Sequence, residues 1–203
     1  MKLIVLTPEE DINNEPALAE ALFRAGLQRL HLRKKHHTAQ QTISYINAIS
    51  PAYHNRIVLH RHFDLYARMQ LGGIHLNSMV RAAADTPSLI SHIPHSAIST
   101  SFHSWQEIAE DQVPYGYVFI SPVFNSISKP GYMGSIDLAG CATLQEEKKK
   151  TGAYCPCIIA LGGINGSNIA LLRKYPFQGA ALLGHIWTAP DPVAAFTQLL
   201  SVE

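Results

Sequence analysis

Short apolar runs alternate with longer amphipathic segments along this chain. The first run, KLIVLT at residues 2–7, precedes NNEPALAEALFRAG at residues 13–26, whose apolar positions have helical spacing. Seven more pairs of the same kind follow, and each apolar run is short enough for a strand. The alternation predicts eight strand-then-helix units, which is the pattern of a (β/α)8 barrel.

The predicted strands are nearly continuous in apolar residues, as expected for parallel strands covered by helices. A doubly wound open sheet would give the same alternation, but eight units in 203 residues favour a closed barrel. We therefore expect a single α/β TIM barrel domain over residues 1–203, with Thr38 and Ser104 as helix N-caps. The predicted strands are KLIVLT (2–7), LQRLHLR (27–33), RIVLH (56–60), GGIHLN (72–77), SAISTS (96–101), YGYVFIS (115–121), CIIALGG (157–163) and GAALLGH (179–185).

Composition argues against several classes of function. The chain is 47% hydrophobic and 15% charged, with a net charge of +1, which is typical of a globular protein. The chain has no excess of basic residues of the kind that would indicate a nucleic-acid partner. No apolar run approaches the roughly 20 residues that a membrane span needs. The N-terminal MKLIVLTPEED turns acidic without a small-residue cleavage site, so it predicts a first strand rather than a signal peptide. We expect a cytoplasmic protein that acts on small molecules.

Cysteine and histidine give two weak indications of metal binding. A disulfide scaffold is not expected from three cysteines, and the CPC pair of Cys155 and Cys157 lacks the second pair that structural zinc needs. Among 11 histidines, His60 and His62 would point to one face of a strand. Such a pair could bind zinc, but the sequence identifies no third ligand. The alternative is that these are polar residues at strand ends.

Barrels of this type carry their active sites at the C-terminal ends of the strands. The polar residues that directly follow each apolar run are therefore the candidate site residues. They include cations and hydroxyls but no carboxylate directly at a strand end, which favours an anionic ligand over a paired-carboxylate mechanism. The candidates are Thr7, His31, Arg33, Lys35, His60, Arg61, His75, Asn77, Ser99, Ser101, Ser121, Ser126, Ser128, Lys129, Gly162, Gly163, Gly184 and His185.

Two glycine-containing strand ends predict a phosphate site. ALGGING ends the seventh predicted strand and LLGH the eighth, the two places where such barrels commonly hold phosphate on backbone N–H groups. Arg33 and Lys35, at i, i+2 spacing after the second strand, could both point at an anion. The alternative for this basic run, which also contains Lys34, His36 and His37, is a solvated cluster.

Five segments, HLRKK (31–35), SFHS (101–104), SPVFNSISK (121–129), IALGGI (159–164) and AALLGHI (180–186), follow one another along the chain. Together they resemble the motifs of the thiamine phosphate synthase/TenI family. HLRKK is similar to its Q-L-R-x-K diphosphate motif, with His31 for the glutamine, and SPVFNSISK to its G-P-V-F-x-T-x-T-K loop. The resemblance implies a TIM barrel fold and a role in thiamine biosynthesis. The implied activity is that of a transferase, which joins hydroxymethylpyrimidine diphosphate to thiazole phosphate and releases diphosphate.

The resemblance also assigns expected roles to residues. The diphosphate would be held as it leaves, while the thiazole nitrogen captures the pyrimidine carbocation. The expected catalytic residues are Lys129, Ser101, Arg33 and Lys35. The expected diphosphate ligands are Arg33, Lys35, Arg61 and Lys129, of which Arg61 is our own addition. The expected thiazole phosphate ligands are Ser126, Ser128, Gly162, Gly163, Leu183 and Gly184.

Two departures from the family pattern concern the metal. The synthases bind Mg²⁺ through acids after strands three and four, where this chain has His60-Arg61 and Val80. Mg²⁺ could still arrive on the substrate diphosphate, but the protein acid ligands are missing, and no other cofactor is expected. One interpretation is a working synthase in which Arg61 supplies the cationic charge.

Other interpretations remain open. A TenI-like thiazole tautomerase also lacks the metal acids, but the residue in the place of its histidine is Pro122. The proton would then be transferred by one of the histidines at or near strand ends, His31, His60, His75 or His103. A third interpretation is a catalytically silent barrel that binds a thiamine intermediate or another small phosphate. A structural or partner-binding barrel is a more distant alternative, and the sequence leaves a homo-oligomer open.

Overall fold

The computed structural model describes residues 1–125 and 133–201. Within these residues, eight parallel strands form a closed barrel in chain order. The barrel closes where β1 pairs with β8, Lys2 lying opposite Gly179. The predicted (β/α)8 fold is confirmed, because an open sheet would leave two unpaired edges. The strands are β1 (Lys2–Leu6), β2 (Arg29–Leu32), β3 (Ile57–Leu59), β4 (Gly73–Leu76), β5 (Ile98–Phe102), β6 (Tyr117–Ile120), β7 (Ile158–Leu161) and β8 (Gly179–Leu182).

Helices connect successive strands on the outside of the barrel, and several are a single turn. Two 3-10 turns, Pro51–Arg56 and His95–Ala97, lead into β3 and β5. Among the described residues, no helix has the length and apolar character that a membrane span requires. The α-helices are α1 (Glu15–Arg24), α2 (Ala39–Asn47), α3 (Leu65–Arg68), α4 (Ser78–Ala82), α5 (Thr86–Ile90), α6 (Trp105–Glu110), α7 (Gly140–Thr151), α8 (Ile169–Leu172), α9 (Gly184–Trp187) and α10 (Pro192–Leu200).

Both predicted N-caps are confirmed. The Thr38 hydroxyl accepts a hydrogen bond from the Gln41 backbone N–H, and the Gln41 side chain accepts one from Thr38, which forms a capping box at the start of α2. Ser104 accepts from the Glu107 N–H at the start of α6. These caps satisfy backbone donors that have no partner inside the helix, so they fix where each helix begins.

The barrel interior is divided into an apolar and a polar half. Its apolar half is a compact cluster contributed by β1, β6, β7 and β8, separate from the larger core between strands and helices. The polar half comes from β2, β4 and β5, where His31, His75 and Ser99 are buried. The apolar members are Ile4, Leu6, Tyr117, Phe119, Ile159 and Ala181. Since buried polar groups need hydrogen-bond partners, the polar half must form an internal network.

Candidate functional site

A cavity of about 430 Å³ opens at the C-terminal ends of the strands. Its lining mixes histidines, hydroxyls and one arginine with glycine backbone and apolar side chains. The lining residues are Leu6, Arg33, His60, His75, Asn77, Ser78, Ser101, His103, Phe119, Ser121, Pro122, Leu161, Gly162, Gly163, Ile164, Ala181, Leu183 and Gly184. This is the position in which TIM barrels carry their active sites.

One wall of the cavity is bare backbone at the ends of β7 and β8. Gly162 and Gly163 have φ values of +106° and +65°, which favour glycine. A Cβ on Gly163 would lie 2.1 Å from the Asn125 carbonyl oxygen, so a side chain there would displace the loop after β6. The N–H groups of Gly163 and Gly184 donate no hydrogen bond to another described residue. This wall therefore offers backbone donors at the place where the sequence predicts phosphate.

Arg33 brings the one guanidinium that lines the described part of the cavity. Its backbone N–H donates to the buried Thr7 hydroxyl at 2.8 Å, which fixes the chain as it leaves β2. Its Nη2 lies 2.5 Å from Glu9 Oε1, in a partly exposed ion pair. An incoming anion would compete with Glu9 for this guanidinium, which forms bidentate contacts with phosphate readily.

The structure does not bring Lys35 and Arg61 to the cavity lining. Both are exposed, and an Arg61 Nη1 donates to the Lys35 carbonyl on the outer rim. The i, i+2 spacing fails to align Lys35 with Arg33 because β2 ends at Leu32, so neither residue lies in the strand. Ser126, Ser128 and Lys129, the predicted residues of the loop after β6, lie outside the described residues.

Lys34 corrects the interpretation of its basic run as a solvated cluster. Its ammonium is buried, 2.6 Å from Glu15 Oε2 and 2.7 Å from the Glu10 carbonyl oxygen. Asp11 Oδ1 lies 3.3 Å away on the exposed side, and the Tyr45 hydroxyl donates to Glu15 Oε1 at 3.0 Å. Lys34 therefore attaches the loop after β2 to the start of α1, and this anchor sets the position of the neighbouring Arg33.

Two side chains at the C-terminal end of β5, Ser101 and His103, present acid–base groups to the cavity. Ser101 Oγ lies 2.9 Å from His75 Nε2. His103 Nδ1 lies 2.9 Å from the Ser121 carbonyl oxygen, which can only accept, so Nδ1 carries the proton. Within the described residues His103 Nε2 has no hydrogen-bond partner, so in this tautomer it can accept a proton from a ligand in the cavity.

His31, His60 and His75 form a cluster of rings at the cavity floor, in which His31 and His60 are hydrogen-bonded and the His60 and His75 rings stack 4.4 Å apart. His31 Nδ1 lies 3.0 Å from His60 Nε2, and His31 Nε2 lies 2.6 Å from the Tyr117 hydroxyl. Burial lowers the pKa of His31 and His60 well below the usual value, because a proton on either ring would be desolvated and would also be repelled by any charge on the neighbouring histidines and by Arg29 or Arg33. Burial, with the charges of Arg33 and Arg81, lowers the pKa of His75 to about 3. All three rings are therefore neutral near pH 7.

Arg81 was not identified as a site residue from the sequence. It follows Val80 on α4, and its Nη1 donates to the Thr100 hydroxyl at 2.9 Å and to the Ser101 carbonyl at 2.7 Å. Its guanidinium carbon lies 4.2 Å from the centre of the Phe102 ring. Arg81 thus positions the end of β5. Its role becomes apparent only in the structure, where α4 packs beside β5.

The two sequence-based metal candidates do not form sites of the expected kind. His62 Nε2 bonds to the His37 carbonyl at 2.9 Å, whereas His60 turns to His31, so the pair does not share a ligand position. The side chains of His60 and His62 would point to one face only if both residues lay in a strand. However, β3 ends at Leu59, and His62 has φ +54°. Cys155 and Cys157 are free thiols whose pKa burial raises.

The described lining of the cavity does not fit a protein-held Mg²⁺. It contains no Asp or Glu, and Mg²⁺ prefers carboxylate and water oxygens in an octahedral arrangement. The group of metal-capable side chains found among the described residues is instead His31, His60 and His75. The positions of the family acids, His60-Arg61 and Val80, supply only nitrogen donors or none.

A second cavity, of about 850 Å³, lies outside the barrel beside α5. Ile90, Ile93, Val113 and Tyr115 give it a mainly apolar lining, and it shares no lining residue with the cavity at the strand ends. We therefore place the candidate site in the cavity at the C-terminal ends of the strands.

A family model, curated relatives and solved structures similar to this chain are described as thiamine phosphate synthases or pyrophosphorylases. The family model described as thiamine monophosphate synthase (TMP-TENI) matches residues 3–186. A thiamine-phosphate synthase of Vibrio campbellii (strain ATCC BAA-1116) is 23% identical and aligns over 98% of this chain and 96% of its own length. A crystal structure of thiamine phosphate pyrophosphorylase from Bacteroides thetaiotaomicron is 32% identical, with a TM-score of 0.75 over 98% of this chain and 96% of that one. A Pyrococcus furiosus thiamine phosphate pyrophosphorylase shares the fold, at 18% identity and a TM-score of 0.77, over 98% of this chain and 93% of that one.

Proposed function

The chain belongs to the thiamine monophosphate synthase (TMP-TENI) family, and on this premise we propose that it condenses hydroxymethylpyrimidine diphosphate with thiazole phosphate and releases diphosphate. The observation that carries the proposal is the position of Arg33 and the Gly162–Gly163 backbone, which line one cavity. Arg33 can hold the leaving diphosphate, and the glycine backbone can hold the phosphate of the thiazole, which is the nucleophile. The family is one of transferases, and the exact reaction of this chain is the proposed part.

The thiazole phosphate is placed on the backbone wall. The Gly163 and Gly184 N–H groups have no acceptor within the described residues, and Leu183, directly after β8, also lines the cavity. Because Gly162 and Gly163 lack side chains, the phosphate can approach the backbone closely. Holding this phosphate fixes the thiazole ring over the cavity, and positioning of this kind contributes a large part of the rate in a two-substrate reaction.

The diphosphate is placed at Arg33, with Lys129 of the loop after β6 as the second expected cation. As the carbon–oxygen bond to diphosphate breaks, negative charge grows on the leaving group and positive charge on the pyrimidine methylene. A guanidinium stabilises the first, and the Ser101 hydroxyl can donate to the departing oxygen once it releases His75. The thiazole nitrogen then forms the new carbon–nitrogen bond, so no enzyme nucleophile is needed.

No step of this mechanism passes through a protein-bound magnesium, because the described lining has no carboxylate for it. Mg²⁺ carried by the substrate diphosphate would supply additional charge neutralisation when bound. Arg33, rather than the exposed Arg61, is the arginine placed to act in its absence. A cytoplasmic location and a homo-oligomer stay predictions.

The test is formation of thiamine phosphate from the two substrates, measured with Mg²⁺ and again with EDTA. Turnover in EDTA supports charge stabilisation by Arg33 and Lys129 alone, and turnover with Mg²⁺ only supports metal carried by the substrate. Gly163→Ala should raise the KM for thiazole phosphate, because its Cβ would push against Asn125. Absence of product under both conditions would refute the synthase assignment.

A second candidate is thiazole tautomerisation, and the observation that favours it is His103 with its free Nε2. This activity predicts exchange of a ring proton in a thiazole carboxylate phosphate. His103→Gln should abolish the exchange while leaving phosphate affinity unchanged. Phosphate binding without either turnover would instead support the catalytically silent barrel.

A further inference from the structure

The proposed condensation leaves the three clustered imidazoles at the cavity floor without a role. His31 comes from β2, His60 directly follows β3 and His75 lies in β4, so three neighbouring strands deliver one ring each. One nitrogen from each ring lies within 4.8 Å of the other two. His31 and His75 are almost fully buried, while His60 and His75 reach the lining of the cavity. The cluster is thus accessible from one side only.

In His75 and His31, a hydrogen bond to one ring nitrogen leaves the other ring nitrogen unprotonated. Ser99 Oγ donates to the Ile74 carbonyl at 3.1 Å, so its contact with His75 Nδ1 at 2.9 Å is one in which it accepts. His75 Nε2 is therefore unprotonated, and it accepts a hydrogen bond from the Ser101 hydroxyl at 2.9 Å. The Tyr117 hydroxyl engages His31 Nε2, which lets His31 keep Nδ1 bare toward His60. A carbonyl, carboxylate or hydroxyl behind the ring is the arrangement that orients histidine ligands of metals.

We propose that His31 Nδ1, His60 Nε2 and His75 Nε2 form a three-nitrogen site for a divalent cation of the Zn²⁺ class, with its fourth position open to the cavity. Zn²⁺ bound tetrahedrally at 2.0–2.1 Å holds its ligand atoms about 3.3 Å apart. The His31–His60 pair, at 3.0 Å, is close to this separation. The His75 ring turns away from Ser101 to join them, and His60 moves its proton to Nδ1, so no proton leaves the site.

Donor chemistry selects the cation. Three neutral imidazoles suit Zn²⁺, Co²⁺ and Ni²⁺ and are poor ligands for Mg²⁺. Arg33, the arginine of the described cavity lining, is already paired with Glu9, which limits its repulsion of a bound cation. This site is therefore different from a magnesium carried by the substrate, and it can be measured without substrate.

The experiment is titration of the purified, chelator-treated full chain with Co²⁺, followed by its visible absorption, and then with Zn²⁺ in competition with a chromophoric chelator. We expect one equivalent per chain and a four-coordinate Co²⁺ spectrum, which excess Mg²⁺ does not displace. His60→Gln should weaken Zn²⁺ binding by at least 100-fold. Tyr117→Phe, which removes only the hydroxyl behind His31, should weaken it by about 10- to 100-fold.

The matched control is His36→Gln, which removes an exposed histidine near the same rim and should leave the affinity unchanged. Circular dichroism of every variant shows whether the barrel is folded. If His60→Gln does not fold, Tyr117→Phe still tests the site. The proposal is overturned if the chain binds no stoichiometric Zn²⁺, since the cluster is then a hydrogen-bond network only. It is equally overturned if His36→Gln loses binding while His60→Gln keeps it.

Discussion

The buried pair of Lys34 and Glu15 should be among the most sensitive points of the fold. The two side chains are 1% and 2% exposed, and the ammonium lies 2.6 Å from the carboxylate. The change to test is Lys34→Met, which keeps the length of the apolar stem and removes the charge. It leaves the Glu15 carboxylate with two neutral donors, the Tyr45 hydroxyl at 3.0 Å and the Ile12 N–H at 3.2 Å.

Removing one partner of a buried ion pair costs about 3–5 kcal/mol, because the remaining charge has lost its solvent and its counter-ion. For a chain of this length that corresponds to a fall in Tm of roughly 6–20 °C. Glu15→Gln should cost less, since Asp11 remains 3.3 Å from the ammonium. The double variant should be more stable than Lys34→Met alone, because no isolated charge stays buried.

The assay is urea unfolding followed by circular dichroism and tryptophan fluorescence for the wild type, both single variants and the double variant. Lys35→Met is the matched control, because the neighbouring lysine is exposed, and its change should stay within about 0.5 kcal/mol. A loss below about 1 kcal/mol in Lys34→Met would refute the reasoning. So would single-variant losses that simply add in the double variant, since the pair would then be uncoupled.

Three further predictions concern the site and the core. Arg33→Ala should lower kcat/KM for thiamine phosphate formation by about 10- to 150-fold, which corresponds to the loss of one charge-assisted hydrogen bond. The control variant Arg68→Ala removes an exposed arginine and should leave kcat/KM unchanged. Equal effects of the two changes would mean that the anion does not bind at Arg33. In chelator-treated protein, the free energy of unfolding should fall as pH drops below about 6.5, because the unfolded chain protonates His75 and the folded barrel, with its pKa lowered to about 3, does not. His75→Gln should reduce that slope by up to about 1.4 kcal/mol per pH unit between pH 6 and 4, and an unchanged slope would contradict a neutral buried ring. The Cys141 thiol, whose pKa burial raises to about 12, should react with a thiol reagent only after unfolding, in contrast to the two partly exposed cysteines; its modification in the folded protein would contradict its burial.

The fold could be predicted from the sequence because a parallel barrel covers each strand on both sides. Apolar residues then occupy almost every strand position, and the helices between them keep their own spacing and caps, as at Thr38 and Ser104. The rule that polar residues follow the strands also selected Ser101, Gly163 and Gly184, which do line the cavity.

The direction of loop side chains could not be predicted. Arg33, Lys34 and Lys35 are consecutive, yet one lines the cavity, one is buried beneath α1 and one is exposed. That outcome depends on the hydrogen bond from Arg33 N–H to Thr7 and on Glu15, which lie elsewhere in the chain. No local spacing carries that information.

The contacts within the histidine cluster also could not be predicted from the sequence. The His60-x-His62 spacing suggested a pair, whereas the actual neighbours of His60 are His31 and His75 on adjacent strands. Which side chains meet across a barrel interior depends on the stagger between neighbouring strands, and that stagger is set by closure of the whole sheet. The polar half of the interior therefore becomes visible only in three dimensions.

The pairing of the first strand with the last has a consequence for how the protein is made. Lys2 pairs with Gly179, so β1 leaves the ribosome long before its second neighbour exists. At synthesis rates of about 5–20 residues per second, β1 keeps one open edge for roughly 9–35 s. An unpaired apolar strand edge invites association with other chains, so the nascent barrel passes through its most aggregation-prone stage just before completion. Its yield in a cell should consequently respond to chaperone supply and to translation speed more than its final stability alone would suggest.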